Sequence, residues 1–523
     1  MSKRLWGRRQ PEGQWDAIVV GSGAGGMACA AMLARTGLKV LVLEQHYIPG
    51  GFTHTFKRKG FEWDVGVHTI GEIGEEHLPG RVLSFLADDS LQWDSTGPVC
   101  EHFKFPSFNM DIPREREEQY ETLREAFPHE HQGIALFEKY VDKAIQALPK
   151  YYVARSMPPS LSGLDRVIAG GAWKWFGQST VKVLNSIIQD PRLLEVLTAR
   201  WVYYGAPPSQ SAFGVHAIVT NHFYNGGYYP RGGAASLARA LLTRVANEGG
   251  WTRTRASVKH ILIKKKRAIG VQLCDGEEIL APRVIVATPT HSFLRMLPQP
   301  MPSWAQSLQK LTGSPAHVCL YLGLSAKAGT LGLSGGNTWL CDSSDATWHV
   351  HPDKPLPKPG VLYCSFPTLK TQQQAPDSKH TAEIITFVPW EAFARWKETS
   401  LGKRGESYNT FKQKLTDALL KRLFQAFEGL EDCVEYVELS TPLTTNHYMG
   451  TIRGDIYGLA PTPERYHHPY LRPRTPLKGL FLAGSDQASP GVMGAVMGGV
   501  MGALAANVKP VFSLLRPLLR DKA

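Results

Sequence analysis

The chain has 523 residues, more than one compact core holds, so two closely joined domains are expected. Apolar residues make up 43% and charged residues 20%, the balance of a globular protein with a sizeable core. A formal charge of +12 comes without a basic array interleaved with aromatics, which argues against nucleic acid and leaves an acidic substrate or an anionic membrane surface as its reason. Seven scattered cysteines with no C-x-x-C pair exclude a disulfide framework, carry no zinc signature and fit a reducing compartment. Met1 to Trp15 is a basic tail without the apolar core of a signal peptide, and no apolar run reaches the ~18 residues of a membrane span. The expected location is therefore the cytoplasm, or the cytosolic face of a membrane.

The first organised stretch is also the most informative. Ala17 to Val20 reads as a short buried strand, and Gly21, Gly23 and Gly26 then fill a G-x-G-x-x-G pattern with Ser22, Ala24 and Gly25 between them. The first glycine permits a tight turn, the second lets backbone approach a pyrophosphate, and the third lets helix pack on strand. Met27 to Arg35 is helix-favouring, Gly37 stops it, and Lys39 to Leu43 is a second strand ending in Glu44, 18 residues past Gly26. A carboxylate there can accept hydrogen bonds from a ribose diol and would repel a 2′-phosphate. Strand, helix, strand and terminal acid in order predict a dinucleotide site that does not take NADP.

After Gln45 the paired glycines Gly50 and Gly51, with Phe52 and Thr53, let backbone pass close to something flat or charged. Phe61 to Gly71 reads as a strand running into a loop that carries His68. The run from Asp16 to Gly71 resembles the N-terminal region of the FAD-dependent phytoene desaturase, carotenoid isomerase and retinol saturase family. The segment EQHYIPGGFTHTFKRKGFEWDVGVHTIG is most similar to the retinol saturase branch. The resemblance implies that Gly50 and Gly51 lie against the FAD diphosphate and that the loop of His68 faces the flavin ring.

Residues 75 to about 130 read as charged and loop-rich, whereas Gln132 to Lys150 and Asp165 to Val202 have helical spacing and read as an insert. Tyr229 to Ala234 is similar to the family's second fingerprint and precedes a helix from Ser236 to Glu248. Val258 to Ala287 alternates as a β-meander with a returning strand. In the family the position of Val258 contacts adenine through its backbone. Strands are expected at Val318 to Leu324, Thr381 to Val388 and Cys433 to Leu439, and helices at Trp390 to Glu398 and Tyr408 to Phe427. Thr441 to Gly458 matches a family loop that closes over the flavin.

Gly479 to Gly484 reads as a last buried strand, followed by Ser485 and Asp486, and Gly491, Val492 and Met493 open a small-residue helix. By resemblance, Asp486 meets the diphosphate and ribityl region and the helix start faces the pyrimidine end of the flavin. Packing alone accounts for Gly498, Gly499 and Gly502. Residues 508 to 523 carry an apolar face edged by Lys509, Arg516, Arg520 and Lys522, which reads either as a membrane-surface helix or as a helix docked on its own domain.

The expected class is α/β, a Rossmann-type FAD-binding domain of the amine oxidase and phytoene desaturase kind, interleaved with an α+β substrate domain. The former takes residues 16–100, 225–300 and 471–507. The latter takes 101–224 and 301–470. FAD is the expected cofactor, and the expected partner is a hydrophobic small molecule, with a membrane surface as a second contact and no nucleic acid. Aromatic residues Trp173, Trp175, Phe176, Trp201, Tyr203, Tyr204, Phe223, Tyr224, Tyr228 and Tyr229 are candidates to line its channel. His68 is the candidate proton donor, the alternative being a loop histidine that only shapes the pocket. No metal-ligand spacing is legible. The expected reaction is saturation or isomerisation of a C=C bond in a polyene, isoprenoid or lipid. Desaturation of a carotenoid or fatty-acyl chain is the alternative, and a non-catalytic prenyl-lipid-binding protein, like the Rab escort proteins of similar fold, is a third.

Overall fold

The computed structural model describes residues 4–342, 346–371 and 378–519. A six-stranded parallel sheet is assembled from distant parts of the chain, in the order Trp6–Gly7, Trp251–Arg253, Val40–Leu43, Ala17–Val20, Val284–Val286, Leu480–Leu482. Its inner strands are apolar on both faces because both faces are covered. On one side lie the opening helix Ala24–Ala34, helix Ala235–Asn247 and the closing helix Val492–Ala506. On the other lies the antiparallel meander Val258–Lys264, Arg267–Leu273, Glu278–Leu280.

The opening and closing helices touch backbone to backbone. A Cβ on Gly25 would sit 2.8 Å from Ala495 O and one on Gly499 2.2 Å from Gly25 O, and both Gly25 and Gly498 also press on the turn at Gly484, 2.5 Å from its Cα and 2.0 Å from its O. Those glycines are required by helix packing. This contact holds the first and last turns of the sheet side by side.

The second sheet has seven strands, in the order Val434–Ser440, Ala316–Leu324, His380–Val388, Val361–Ser365, Asn337–Cys341, Val99–Lys104, Asn109–Pro113. All its pairs are antiparallel except that between Asn337–Cys341 and Val99–Lys104. Helix Glu406–Ala426 covers one face with Phe411, Leu415, Leu419 and Leu423. The helical insert, led by His131–Ser156, packs on the other.

Several elements differ from the sequence reading. The stretch 75–130 holds two helices, Leu78–Leu86 and Arg116–Ala126, and two strands of the second sheet. Its strand Val99–Lys104 buries Glu101, and that acid masked the pattern. Trp390 to Glu398 forms two 3-10 turns rather than a helix, because Pro389 starts it and Phe393 and Trp396 turn inward together. Pro442–Met449, expected as loop, is a helix with a Thr441–Thr444 capping box and a left-handed Gly450 at its end. Two residues of the basic tail, Trp6 and Gly7, join the parallel sheet as an edge strand.

The C-terminal segment forms helix Val508–Leu518, docked on its own domain through Val511 and Leu515, while Val508, Phe512 and Leu519 stay exposed. Arg520 and Lys522 lie outside the described residues. Among the described residues no helix is long and apolar enough to cross a membrane.

Candidate active site

A cleft runs along the turns at the C-terminal ends of the parallel strands and continues to the second sheet. The turn after Ala17–Val20 contributes Gly21, Ser22, Gly23, Ala24 and Gly25 to its lining, and the next strand contributes Glu44 and Gln45. Gly51, Phe52, Thr53, His68 and Val258 also face it, as do Gly484, Ser485, Asp486, Gly491 and Val492. Three expected residues do not. A Cβ on Gly26 would fall 2.0 Å from Gly21 O, so that glycine serves helix–strand packing. Gly50 turns the chain at φ +126° and donates its N–H to Ser22 Oγ at 3.1 Å. Met493 points into the core between the helices.

The donors in this cleft suit a dinucleotide. The opening and closing helices both start at it, on Gly23 and Gly491, and neither has a side-chain N-cap or an acid in its first turn. Their free N–H groups are left for an anion. A Cβ on Gly23 or Gly491 would meet nothing within 4 Å, so both border open space wide enough for a ligand to press on backbone. At the other end Glu44 is 6% exposed. Its Oε2 accepts from Ser22 N–H at 2.9 Å and Ser22 Oγ–H at 2.6 Å, and its Oε1 accepts from His46 N–H at 2.7 Å. The carboxylate is thus fixed in place with lone pairs to spare for a diol.

Asp486 is more committed. Oδ2 accepts the N–H and O–H of Thr290 at 2.8 and 2.7 Å, and Oδ1 accepts the N–H of Leu459 at 2.9 Å. It ties the last strand's turn to the turn after Val284–Val286 and to the second lobe. Beside it, burial and the charge of Asp486 push Asp455 up to about 7.

The end of the cleft away from Glu44 is walled by the second sheet: Trp339, Tyr363, Ile385 and Phe387, with Val202 and Tyr203 from the insert. Of the ten aromatics expected to line a channel, Tyr203 alone lines this cleft. Trp175, Phe176, Trp201, Tyr204, Phe223 and Tyr224 are packed in the core of the insert, and Trp173 stacks on His467 at 3.9 Å. Tyr228 accepts from Arg114 at 2.6 Å and Tyr229 donates to Asp64. Large aromatics on short helices were needed to fill the insert's own core, and the apolar wall came from strands instead.

Behind that wall lies a buried acid–base cluster that the sequence reading missed. His68 lines the cleft with its side chain 11% exposed, and its Nδ1 is 2.8 Å from Oε2 of the fully buried Glu383. The two are close but out of line for a directed hydrogen bond. Lys370 Nζ donates to His68 O at 2.6 Å and to Asn337 Oδ1 at 2.8 Å. Nearby, Glu101 accepts from Tyr203 Oη–H at 3.0 Å, and Asp64 accepts from Ala234 N–H at 3.0 Å. Burial dominates every one of these groups. It raises Glu383 to about 8, partly offset by Lys370, and Asp64 to about 7 with help from Glu383. It lowers Lys370 to about 7 against the pull of Glu383, Glu101 and Asp64, and His68 to about 3 with help from Lys370. A neutral imidazole therefore faces the cleft with a carboxyl behind it. The one sequence signal was an acid alone in the apolar run Thr381 to Val388. Among the described residues no group of three His, Cys, Asp or Glu side chains is placed to hold a metal ion.

A family sequence model described as flavin containing amine oxidoreductase matches residues 24–506. The chain belongs to that family. It is an FAD-dependent oxidoreductase, and its cofactor is the one that a dinucleotide cradle of this form accommodates. Among its relatives, all-trans-retinol 13,14-reductase from Danio rerio is 30% identical, covering 94% of this chain and 85% of that protein. The chloroplastic prolycopene isomerase of Daucus carota is 28% identical, covering 91% of this chain and 77% of that protein. The flavoenzyme fold itself matches cyclohexylamine oxidase from Brevibacterium oxydans IH-35A, with a TM-score of 0.61 at 17% identity over 97% of this chain and all of that one.

Proposed function

We propose that this flavoenzyme saturates or isomerises a C=C bond of a long apolar polyene, a retinoid or carotenoid-like molecule. The observation that carries the proposal is the continuity of one cleft from the glycine cradle to an apolar wall with a titratable histidine set in it. FAD, when bound, supplies the two-electron chemistry of the site. The chain's own residues do the rest. Glu44 would accept from the ribose, the backbone of Val258 would contact adenine, and the starts of the opening and closing helices would hold the diphosphate and the pyrimidine end. Trp339, Tyr363, Ile385 and Phe387 exclude water and hold the polyene flat against the cleft. His68 stands where a proton would be given or taken. The relatives that reduce retinol or isomerise prolycopene, by their names, support this substrate class.

Purified protein should be yellow with about one FAD per chain. Incubated anaerobically after reduction, it should convert retinoids or carotenoids to products carrying two more hydrogens, or to isomers of unchanged mass. Products with two fewer hydrogens, formed when the oxidised protein is incubated in place of the reduced one, would assign it as a desaturase. Colourless protein that cannot be reconstituted with FAD would leave only the lipid-binding alternative. For delivery of so insoluble a substrate we also propose that the exposed face of Val508, Phe512 and Leu519, beside Lys509 and Arg516, rests on an anionic cytosolic membrane surface. Phe512→Ser should weaken flotation with anionic vesicles. Equal flotation of the variant would remove that face as the anchor.

A further inference from the structure

Glu383 sits in the middle of His380–Val388, a strand whose nine residues are all buried. Glu383 has at most the backbone N–H of Asp64 as a donor, and both ring nitrogens of His68 lack an aligned partner. An ionised carboxylate in that setting would lose its hydration with little in return. Lys370 does not supply the missing bonds, because its ammonium is directed to His68 O and Asn337 Oδ1. The form that suits so dry a site is a protonated carboxyl. His68 Nδ1 is 2.8 Å away, and a small turn of the ring or the carboxyl brings the O–H into line with it, the ring's own proton being on Nε2. Glu383 does not itself line the cleft, whereas His68 does. The pair thus sets a dry proton store one side chain behind the space where the substrate would lie, with both ring nitrogens of His68 themselves buried.

Resting on the reading of the site given above, we propose that Glu383 is the proton store of this site and acts through His68 as a positioning residue. In saturation the Nε2–H bond of His68 breaks and leaves its electron pair on nitrogen. The π pair of the alkene bonds that proton at one carbon, and the hydride needed at the other carbon is what reduced FAD, when bound, would supply. Nδ1 takes the proton of Glu383 as the O–H bond breaks, so the imidazole ends neutral and Glu383 ends as a carboxylate, until a solvent proton restores it. In isomerisation the same proton is added and returned, with no net redox change. Lys370 favours the transient carboxylate by its charge. The other titratable groups facing this pair are Asp64 from Phe61–Asp64, His317, Cys319 and Tyr321 from Ala316–Leu324, Tyr363 from Val361–Ser365, and Tyr229. Burial keeps the phenol and thiol groups protonated and His317 neutral, which leaves Glu383, Asp64 and Lys370 to change charge near neutrality.

The test compares the parent holoenzyme with Glu383→Gln and Glu383→Asp. The Gln variant, which keeps the shape and loses the acid, should bind FAD with an unchanged spectrum. Its kcat should fall roughly 10²- to 10⁴-fold while KM moves far less, and its turnover should lose the alkaline limb of the pH profile. The Asp variant should recover part of the rate with that limb restored. Infrared spectra of the resting protein across the neutral range should show a buried protonated carboxyl band in the parent that is absent from the Gln variant. That band depends on no substrate. A parent that turns over no polyene but shows the band would defeat the proposed function and keep the proton store. Absence of the band, or a Gln variant with the parent's rate and pH profile, would overturn the store.

Discussion

Removing Asp486 should damage the fold before it damages the cofactor site. Among the described residues its carboxylate is the only acceptor for the N–H groups of Thr290 and Leu459, residues that are 2% and 1% exposed. In Asp486→Ala both backbone donors are left dry and unpaired, while the hydroxyl of Thr290 can rotate to another acceptor. An orphaned buried donor costs about 1–3 kcal/mol, with bonds to a charged group toward the upper end. The loss of stability should thus be about 3–5 kcal/mol, a large share of the ~5–15 kcal/mol that a folded protein has. Asp486→Asn keeps one acceptor oxygen and should lose roughly half as much. The assay is urea unfolding of the apo-protein followed by tryptophan fluorescence. The apo form is required because bound FAD adds its own stabilisation and would hide the latch. By resemblance Asp486 belongs to the diphosphate and ribityl region, and the three bonds give it a second task in the fold. An apo Asp486→Ala protein with the parent's urea midpoint and slope would refute the latch and return Asp486 to a purely cofactor-binding role.

Glu44→Ala should raise the Kd for FAD roughly ten- to hundredfold, about 1.5–3 kcal/mol, with Glu44→Gln in between, measured by flavin fluorescence titration. An unchanged Kd in the Ala variant would remove Glu44 from the ribose. Gly499→Ala should lower the melting temperature clearly, because its Cβ would meet Gly25 O at 2.2 Å and Gly25 C at 3.0 Å, both backbone. A melting temperature equal to the parent's would mean that the two helices separate at no cost. His216 is buried, with Nδ1 3.2 Å from Tyr204 Oη, and burial lowers it from the usual 6.5 to about 3. Its neutral form is the folded one, so acidification below about 6.5 should favour unfolding through this group by up to ~1.4 kcal/mol per pH unit. His216→Gln should flatten stability against pH between about 6.5 and 4, and an equally steep acid limb would refute this.

What the sequence by itself determined is the nucleotide cradle. The glycine spacing at Gly21 to Gly26, the acid at Glu44 and the small residues from Gly491 onward are local requirements, each set by backbone sterics within a few residues of chain. They are legible because they need no knowledge of what lies across from them. The helix Glu406–Ala426 and the meander from Val258 were legible for a similar reason, since one face of each is buried and the periodicity shows it.

Tertiary structure decided the rest. Apart from the lone acid in the run Thr381 to Val388, nothing local in the sequence marks Glu101, Lys370 and Glu383, which become a buried cluster only when three strands and a turn converge behind His68. The aromatic insert looked like a channel and is a core, while the apolar wall comes from strands whose residues looked like ordinary sheet interior. The C-terminal helix has one amphipathic pattern that fits a membrane or a protein surface equally well. Its docking was settled by Val511 and Leu515 finding the groove beside the closing helix, leaving Phe512 outside. Hydrophobic pattern records that a side chain leaves water. It does not record which partner, brought from hundreds of residues away, receives it.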